Sequence, residues 1–191
     1  MIASDCRAKI FFIILLQTIL LLSADATTSV HAQSTKIPEY YIKAGFLANF
    51  ARLVEWPRDH FEKNSTLFLC VMDPTVFGTS LNAINGKKIH GRKLSVTTCS
   101  KKTDFSRLHI LFLNSPDKSL RKNLIAQCRE KPILTIGESP GFAQNEGMIN
   151  FYTEKKRIRF EINRQRAEKA GLKISSRLLK LAKIVSNSKQ E

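Results

Sequence analysis

RIRFEI (157–162) and AGLKISSRLLKLA (170–182) are the two segments that decide the fold of this chain. In the first, apolar residues alternate with charged ones, which predicts a strand with one apolar and one charged face. An apolar run at 148–152, joined to it through 153–156, completes an antiparallel hairpin. We expect Glu161 to project from the charged face, either as a solvated partner of neighbouring arginines or as a contact residue.

The second segment predicts a short helix, a turn and a closing helix. Residues 165–170 have helical character, and Gly171 is a natural residue to end that helix. Ser175 or Ser176 is placed to cap the closing helix. The apolar residues predicted on the closing helix are Leu178, Leu179, Leu181, Ala182 and Val185.

Upstream of the hairpin, strand-like and helix-like segments alternate. A first helix starts near Pro38, carries apolar residues at helical spacing and is stopped by Pro57. The remaining segments are predicted strands at 67–72, 94–98, 108–113 and 133–136, and predicted helices at 76–84 and 119–128. This order predicts a single α/β domain, with a mixed β-sheet flanked by helices and a C-terminal antiparallel hairpin and closing helix.

The first 32 residues resemble an export signal. Arg7 and Lys9 provide a short basic region, and residues 10–22 are an apolar run too short to span a bilayer. Small residues allow cleavage after Ala26 or Ala32. We therefore expect a periplasmic protein, exported by a cleaved signal peptide at 1–32.

Export would leave residues 33–191 as one domain, with a core at about 40–185. The net charge of +15 lies entirely in this part. An exported protein rarely meets nucleic acid, so we expect no nucleic-acid partner. The basic charge indicates a solvated surface, an acidic protein partner or peripheral contact with anionic lipid headgroups.

One segment has the letters of a catalytic motif. GESPG (137–141) follows a predicted strand and matches the G-x-S-x-G nucleophile elbow. However, the residue after Ser139 must donate a backbone N–H to the oxyanion hole, and Pro140 has none. The last histidine, His109, also precedes the serine, whereas hydrolases of this type need one after it. We interpret the segment as a proline–glycine turn.

The other reactive residue types form no recognisable site. His60, His90 and His109 lack the spacing of metal ligands, and His109 reads as a core histidine with its hydrogen bonds satisfied. Cys70, Cys99 and Cys128 follow the leader, and the residues alone leave all three pairings open. We therefore expect no enzyme activity, no metal and no cofactor.

Six separated blocks carry a family resemblance. The first is YIKAGFLANF (41–50) with VEWP (54–57), and the others are HILF (109–112), LTIG (134–137), GMIN (147–150), RFEIN (159–163) and residues 170–182. In this order they resemble the YfiR family of exported bacterial proteins. The resemblance implies a periplasmic regulator that binds and represses an inner-membrane diguanylate cyclase, and so controls the cyclic-di-GMP level.

The resemblance also implies an α/β fold, a homodimer and control through a disulfide. Leu108 occupies the position where the family commonly has a cysteine, and Cys70 with Cys99 is then the preferred pair. We place the partner-binding residues, for a diguanylate cyclase or a kinase, at Phe160, Glu161, Asn163, Leu172, Ile174, Ser175, Ser176 and Leu178. The alternative function is an envelope sensor that binds a small ligand or an outer-membrane component and works with a histidine kinase or receptor.

Overall fold

The computed structural model describes residues 38–61, 66–100 and 103–188. The predicted signal peptide at 1–32 and both of its cleavage sites lie outside these residues. Within them, no helix combines the length and the apolar character that crossing a membrane requires.

Five α-helices lie in the described part of the chain: α1 (Glu39–Leu53), α2 (Lys118–Cys128), α3 (Phe142–Asn145), α4 (Arg164–Lys169) and α5 (Ser176–Leu179). The helix predicted at 76–84 is wrong, because two short 3-10 helices, Thr75–Phe77 and Ser80–Ala83, take its place. Gly78 separates them with a φ of +51°. A right-handed helix cannot continue through that backbone conformation.

Ten strands accompany the helices: β1 (Val54–Glu55), β2 (Thr66–Val71), β3 (Lys88–Ile89), β4 (Arg92–Thr98), β5 (Ile110–Leu113), β6 (Leu134–Gly137), β7 (Ile149–Glu154), β8 (Arg157–Asn163), β9 (Lys173–Ile174) and β10 (Lys183–Val185). Eight of them form one sheet in the order β10-β8-β7-β6-β5-β2-β4-β3, and β1 pairs separately with β9. The five central strands, from β7 to β4, are parallel, while β3, β8 and β10 run the other way. The predicted class, a mixed α/β sheet with a C-terminal hairpin, is confirmed.

Each face of the sheet has its own apolar core. On one face, α1 packs Phe50 against Phe151 and Phe160, with ring centroids 5.6 and 5.1 Å apart. On the other face, Leu124 of α2 packs in a second cluster with Leu111 of β5. Because both faces are covered, β5 and β6 are buried along their whole length, which accounts for their nearly continuous apolar sequences.

The C-terminus differs from the predicted closing helix. Ser175 caps α5 as expected, since its hydroxyl accepts a hydrogen bond from the Leu178 N–H at 3.3 Å. The helix ends after one turn, and the chain returns to the sheet as β10, parallel to β8. Ile184 and Val185 are β-branched, which favours an extended strand over further helix.

Candidate partner-binding surface

Six of the eight residues predicted to bind a partner lie in the interior of the protein. These are Phe160, Glu161, Asn163, Leu172, Ile174 and Leu178, each at most 9% exposed. Ser175 is half-buried and Ser176 is exposed. In this conformation, burial therefore assigns the six to packing and internal hydrogen bonds.

Glu161 does not project into solvent as the alternation suggested. It is 6% exposed and lies between Asn150 of β7 and Lys183 of β10, which are its partners in the strand register. The Asn150 side chain donates to one carboxylate oxygen at 3.3 Å, and the Lys183 Nζ lies 3.9 Å from the other. The prediction fails because β8 is an interior strand at this point, with β10 on its outer side. Arg157 and Arg159, near the hairpin turn, are exposed.

Asn163, the last residue of β8, connects three segments. Its side-chain oxygen accepts from the Arg166 N–H at 3.1 Å and so caps α4. Its side-chain nitrogen donates to the Ala143 carbonyl of α3 and to the Asn187 side chain, both at 2.9 Å. Glu161 and Asn163 therefore both hold the C-terminal segment against the sheet.

We define the C-terminal edge as residues 180–185, the turn after α5 together with β10. β10 is the outermost strand of the sheet among the described residues, so one side of its backbone lacks a neighbouring strand. Leu181 and Ile184 are 66% and 52% exposed there. The cations Lys180 and Lys183 are also exposed. An open strand edge that carries apolar and basic side chains can take up an additional strand with acidic and apolar side chains.

A second exposed apolar pair lies on α1. Tyr41 and Ile42 are 53% and 37% exposed, in the first turn of the helix. Beneath them, the buried Lys43 donates to Glu138 at 2.6 Å, and the Tyr40 hydroxyl donates to the same carboxylate at 2.9 Å. Burial and this carboxylate raise the pKa of Tyr40 above its ordinary value. The network fixes α1 to the carboxyl end of β6.

Two histidines whose positions in the sequence lack the spacing of metal ligands are in contact. The rings of His60 and His109 have centroids 4.6 Å apart. His109 Nδ1 accepts from the Phe68 N–H at 3.2 Å, while its buried Nε2 has no hydrogen-bond partner in the described structure. The core histidine is thus only half satisfied. Burial, and then the neighbouring His60, lower the pKa of His109 to about 3.

The GESPG segment has a packing role. A Cβ on Gly137 would lie 2.7 Å from the Phe142 ring, and one on Gly147 would lie 2.0 Å from it. Gly141, at φ +74°, stands at the N-cap position of α3, in a backbone conformation that favours glycine. Across the described ranges, no group of three or more His, Cys, Asp or Glu side chains could hold a metal ion.

The cysteines pair as the family resemblance favoured. Cys70 of β2 is joined to Cys99, which follows the neighbouring strand β4. Cys128 is a buried free thiol, and burial raises its pKa to about 12. A disulfide between adjacent strands fits an oxidising compartment.

These features describe an α/β domain with an open sheet edge. The sequence blocks that carry the family resemblance lie mainly in the interior of this domain. The chain belongs to the YfiR/HmsC-like family, whose model matches residues 40–183. The family is regulatory rather than catalytic and is associated with periplasmic control of diguanylate cyclase signalling.

Proposed function

We propose that this protein binds the periplasmic part of an inner-membrane diguanylate cyclase and represses it, so that cyclic-di-GMP synthesis responds to the envelope. Family membership supports the class of function. The observation that supports a binding role for this chain is the C-terminal edge, where Leu181, just before β10, and Ile184, within β10, are exposed on a strand with one unpaired side. The disulfide supports a periplasmic location.

The partner surface is expected to combine apolar and acidic side chains. Arg177, Lys180 and Lys183 are exposed beside the two apolar side chains. Glu161 interacts with only one of these cations, at 3.9 Å. An acidic partner segment would neutralise the others and would speed the encounter at low salt.

The test combines a cellular and a biochemical measurement. Deleting the gene should raise the cyclic-di-GMP level, and the wild-type protein should co-purify with the periplasmic domain of the cyclase. Leu181→Asp and Ile184→Thr should each weaken this binding by about tenfold, as expected for loss of an apolar contact worth about 1.4 kcal/mol. An unchanged cyclic-di-GMP level on deletion, or no binding by the wild-type protein, would refute the proposal.

The matched control is Val76→Thr, because Val76 is an exposed apolar residue on a different element, at 39% exposure. It should leave binding unchanged. Ile42→Lys tests the second exposed apolar pair, on α1. If Ile42→Lys loses binding and Ile184→Thr keeps full binding, the interface lies on α1 and not at the C-terminal edge.

The alternative, a ligand-binding sensor, is favoured by one observation. A cavity of about 780 Å³ with basic walls opens beside α2 and α4. Its volume lies in the range of small-molecule sites, about 300–1,000 Å³. Stabilisation of the isolated protein by a small ligand would support this function, since a ligand that binds the folded state raises its apparent stability.

A further inference from the structure

The basic cavity lies on the face of the sheet covered by α2. Its walls come from α2, from the segment around Glu146 that follows α3, and from α4, with Thr135 of β6 also in the lining. The cationic residues in the lining are Lys118, Arg121, Lys122, Arg129, Arg166 and Lys169, and the acidic ones are Glu130 and Glu146. The wall therefore carries an excess of positive charge.

Among the described residues, one of these cations has an ionic partner. Arg121, 7% exposed, donates to Glu146 at 3.2 Å and to the carbonyls of Ser115 and Pro116 at 2.8 and 3.0 Å. Its charge is thus neutralised within the fold. In the described part of the chain, the other five cations form no ion pair.

Arg166 is only partly hydrogen-bonded within the described fold. Its Nη2 donates to the Gln144 carbonyl at 3.2 Å, whereas its Nε is buried and has no hydrogen-bond partner among the described residues. Burial, and then the nearby Arg129 guanidinium, lower the pKa of Arg166 below its ordinary value. Both arginines line the cavity, so an anion bound there would offset the mutual repulsion of the two guanidinium groups.

The remaining lining suits an organic anion better than a bare one. Ile125, Pro140, Met148 and Ala170 supply apolar surface beside the cations. A guanidinium presents its donors in a planar fork that matches phosphate oxygens. We propose that this cavity binds the phosphate group of a small organic phosphate ester, with Arg166 and Arg129 as the principal donors and the apolar residues against the ester substituent.

The experiment measures thermal stabilisation of the purified protein at constant ionic strength. Phenyl phosphate should raise the Tm saturably, inorganic phosphate should do so more weakly, and phenol or added sodium chloride should not. Arg166→Gln and the exposed Arg129→Gln should each raise the Kd for phenyl phosphate by about tenfold or more. Arg157→Gln is the matched control, because Arg157 is exposed on the hairpin and does not line the cavity.

Arg129→Gln keeps the test valid should Arg166→Gln lose the bond to Gln144 and fold poorly. A second arm uses flotation with phosphatidylglycerol vesicles, with phosphatidylcholine vesicles as reference. Arginine-dependent binding to soluble phosphates supports a soluble ester, and arginine-dependent binding to phosphatidylglycerol alone supports the phosphate of a lipid headgroup. Equal Tm shifts with phenol or chloride, shifts unchanged in both arginine variants, or binding of an acidic peptide without any phosphate binding would each overturn the proposal.

Discussion

Acidification should destabilise this protein through His109. The side chain is fully buried, and its pKa of about 3 in the folded state compares with about 6.5 in an unfolded chain. Below pH 6.5 the unfolded chain therefore takes up a proton that the folded protein does not. The free energy of unfolding should fall as the pH drops from 6.5 towards 3 and should be insensitive to this group above that window.

The magnitude follows from the pKa difference. Each pH unit within the window costs about 1.4 kcal/mol, so His109 should remove about 2 kcal/mol of stability between pH 7.5 and pH 5. For a domain of this size that corresponds to a fall in Tm of roughly 4–8 °C. Burial of the ring, and then the adjacent His60, explain why the folded site resists the proton.

The assay is urea unfolding at pH 7.5 and pH 5 for three proteins. His109→Asn keeps an acceptor for the Phe68 N–H but does not titrate, so its stability should fall by about 2 kcal/mol less than that of the wild type. It should be the weaker protein at pH 7.5, since it loses the ring stacking with Phe61 at 4.7 Å. His90→Asn is the control, because His90 is exposed and its φ of +48° suits asparagine.

Identical pH dependence in the wild type and in His109→Asn would show that His109 does not cause the loss of stability. Titration of the His109 ring near pH 6.5 by NMR in the folded protein would likewise exclude this group as the cause. A change in pH dependence caused by His90→Asn would assign the effect to an exposed histidine.

Three further predictions concern the glycines, the disulfide and Glu161. Gly147→Ala should lower the free energy of unfolding by about 1–3 kcal/mol, because its Cβ would lie 2.0 Å from the Phe142 ring. Gly45→Ala should raise the free energy of unfolding by up to about 1 kcal/mol, because no atom lies within 4 Å of its Cβ. Equal urea midpoints for the two variants would contradict this prediction. Cys99→Ala should lower the free energy of unfolding by about 3.5 kcal/mol, because it removes a cross-link with a sequence separation of 29. A reductant should lower the urea midpoint of the wild type to that of the variant and should leave the midpoint of the variant unchanged. Glu161→Lys should lower the free energy of unfolding by about 3 kcal/mol or more, because it leaves the buried Asn150 amide unpaired and places a second cation beside Lys183. Glu161→Gln should lower it by less. A wild-type Tm for Glu161→Lys would mean that the carboxylate is exposed.

The central sheet could be predicted because its strands are short apolar segments bounded by turn residues. The run at 67–72 corresponds to Thr66–Val71, and the run at 133–136 corresponds to Leu134–Gly137. Such segments form strands wherever both faces of the sheet are covered. They can therefore be recognised as strands without knowing which strands pair with them. That independence explains why the fold class was correct.

The predicted site depended on neighbours that the sequence does not reveal. Alternation in 157–163 indicates which residues share a face, but it does not show that the outer side of β8 is occupied by β10, some twenty residues further along the chain. The KIV sequence at 183–185 was a usable signal, because two β-branched residues favour a strand over the end of a helix. With that strand assigned, Glu161 would have been placed between two neighbours.

The pairing of His60 with His109 lay beyond sequence reasoning for a similar reason. The two residues lie 49 positions apart in the sequence, and His60 also donates a hydrogen bond to the Leu108 carbonyl at 3.2 Å. They meet because the 3-10 helix Arg58–Phe61 packs against the start of β5, where Phe61 stacks on His109. No periodic pattern encodes such a contact between an irregular segment and a strand.

Burial of the family-marked residues changes how loss-of-function variants should be interpreted. Substituting Glu161 or Asn163 removes contacts to Lys183 and Asn187, and so loosens the C-terminal edge even if neither residue touches a partner. Reduced partner binding in such variants would therefore be expected whether the interface lies on β8 or on β10. Leu181 and Ile184 distinguish the two cases, because they are exposed and can be changed without disturbing the interior. An interface at the C-terminal edge requires that these two substitutions weaken binding at unchanged stability, whereas a purely structural role for the edge requires that binding fall only when stability falls with it.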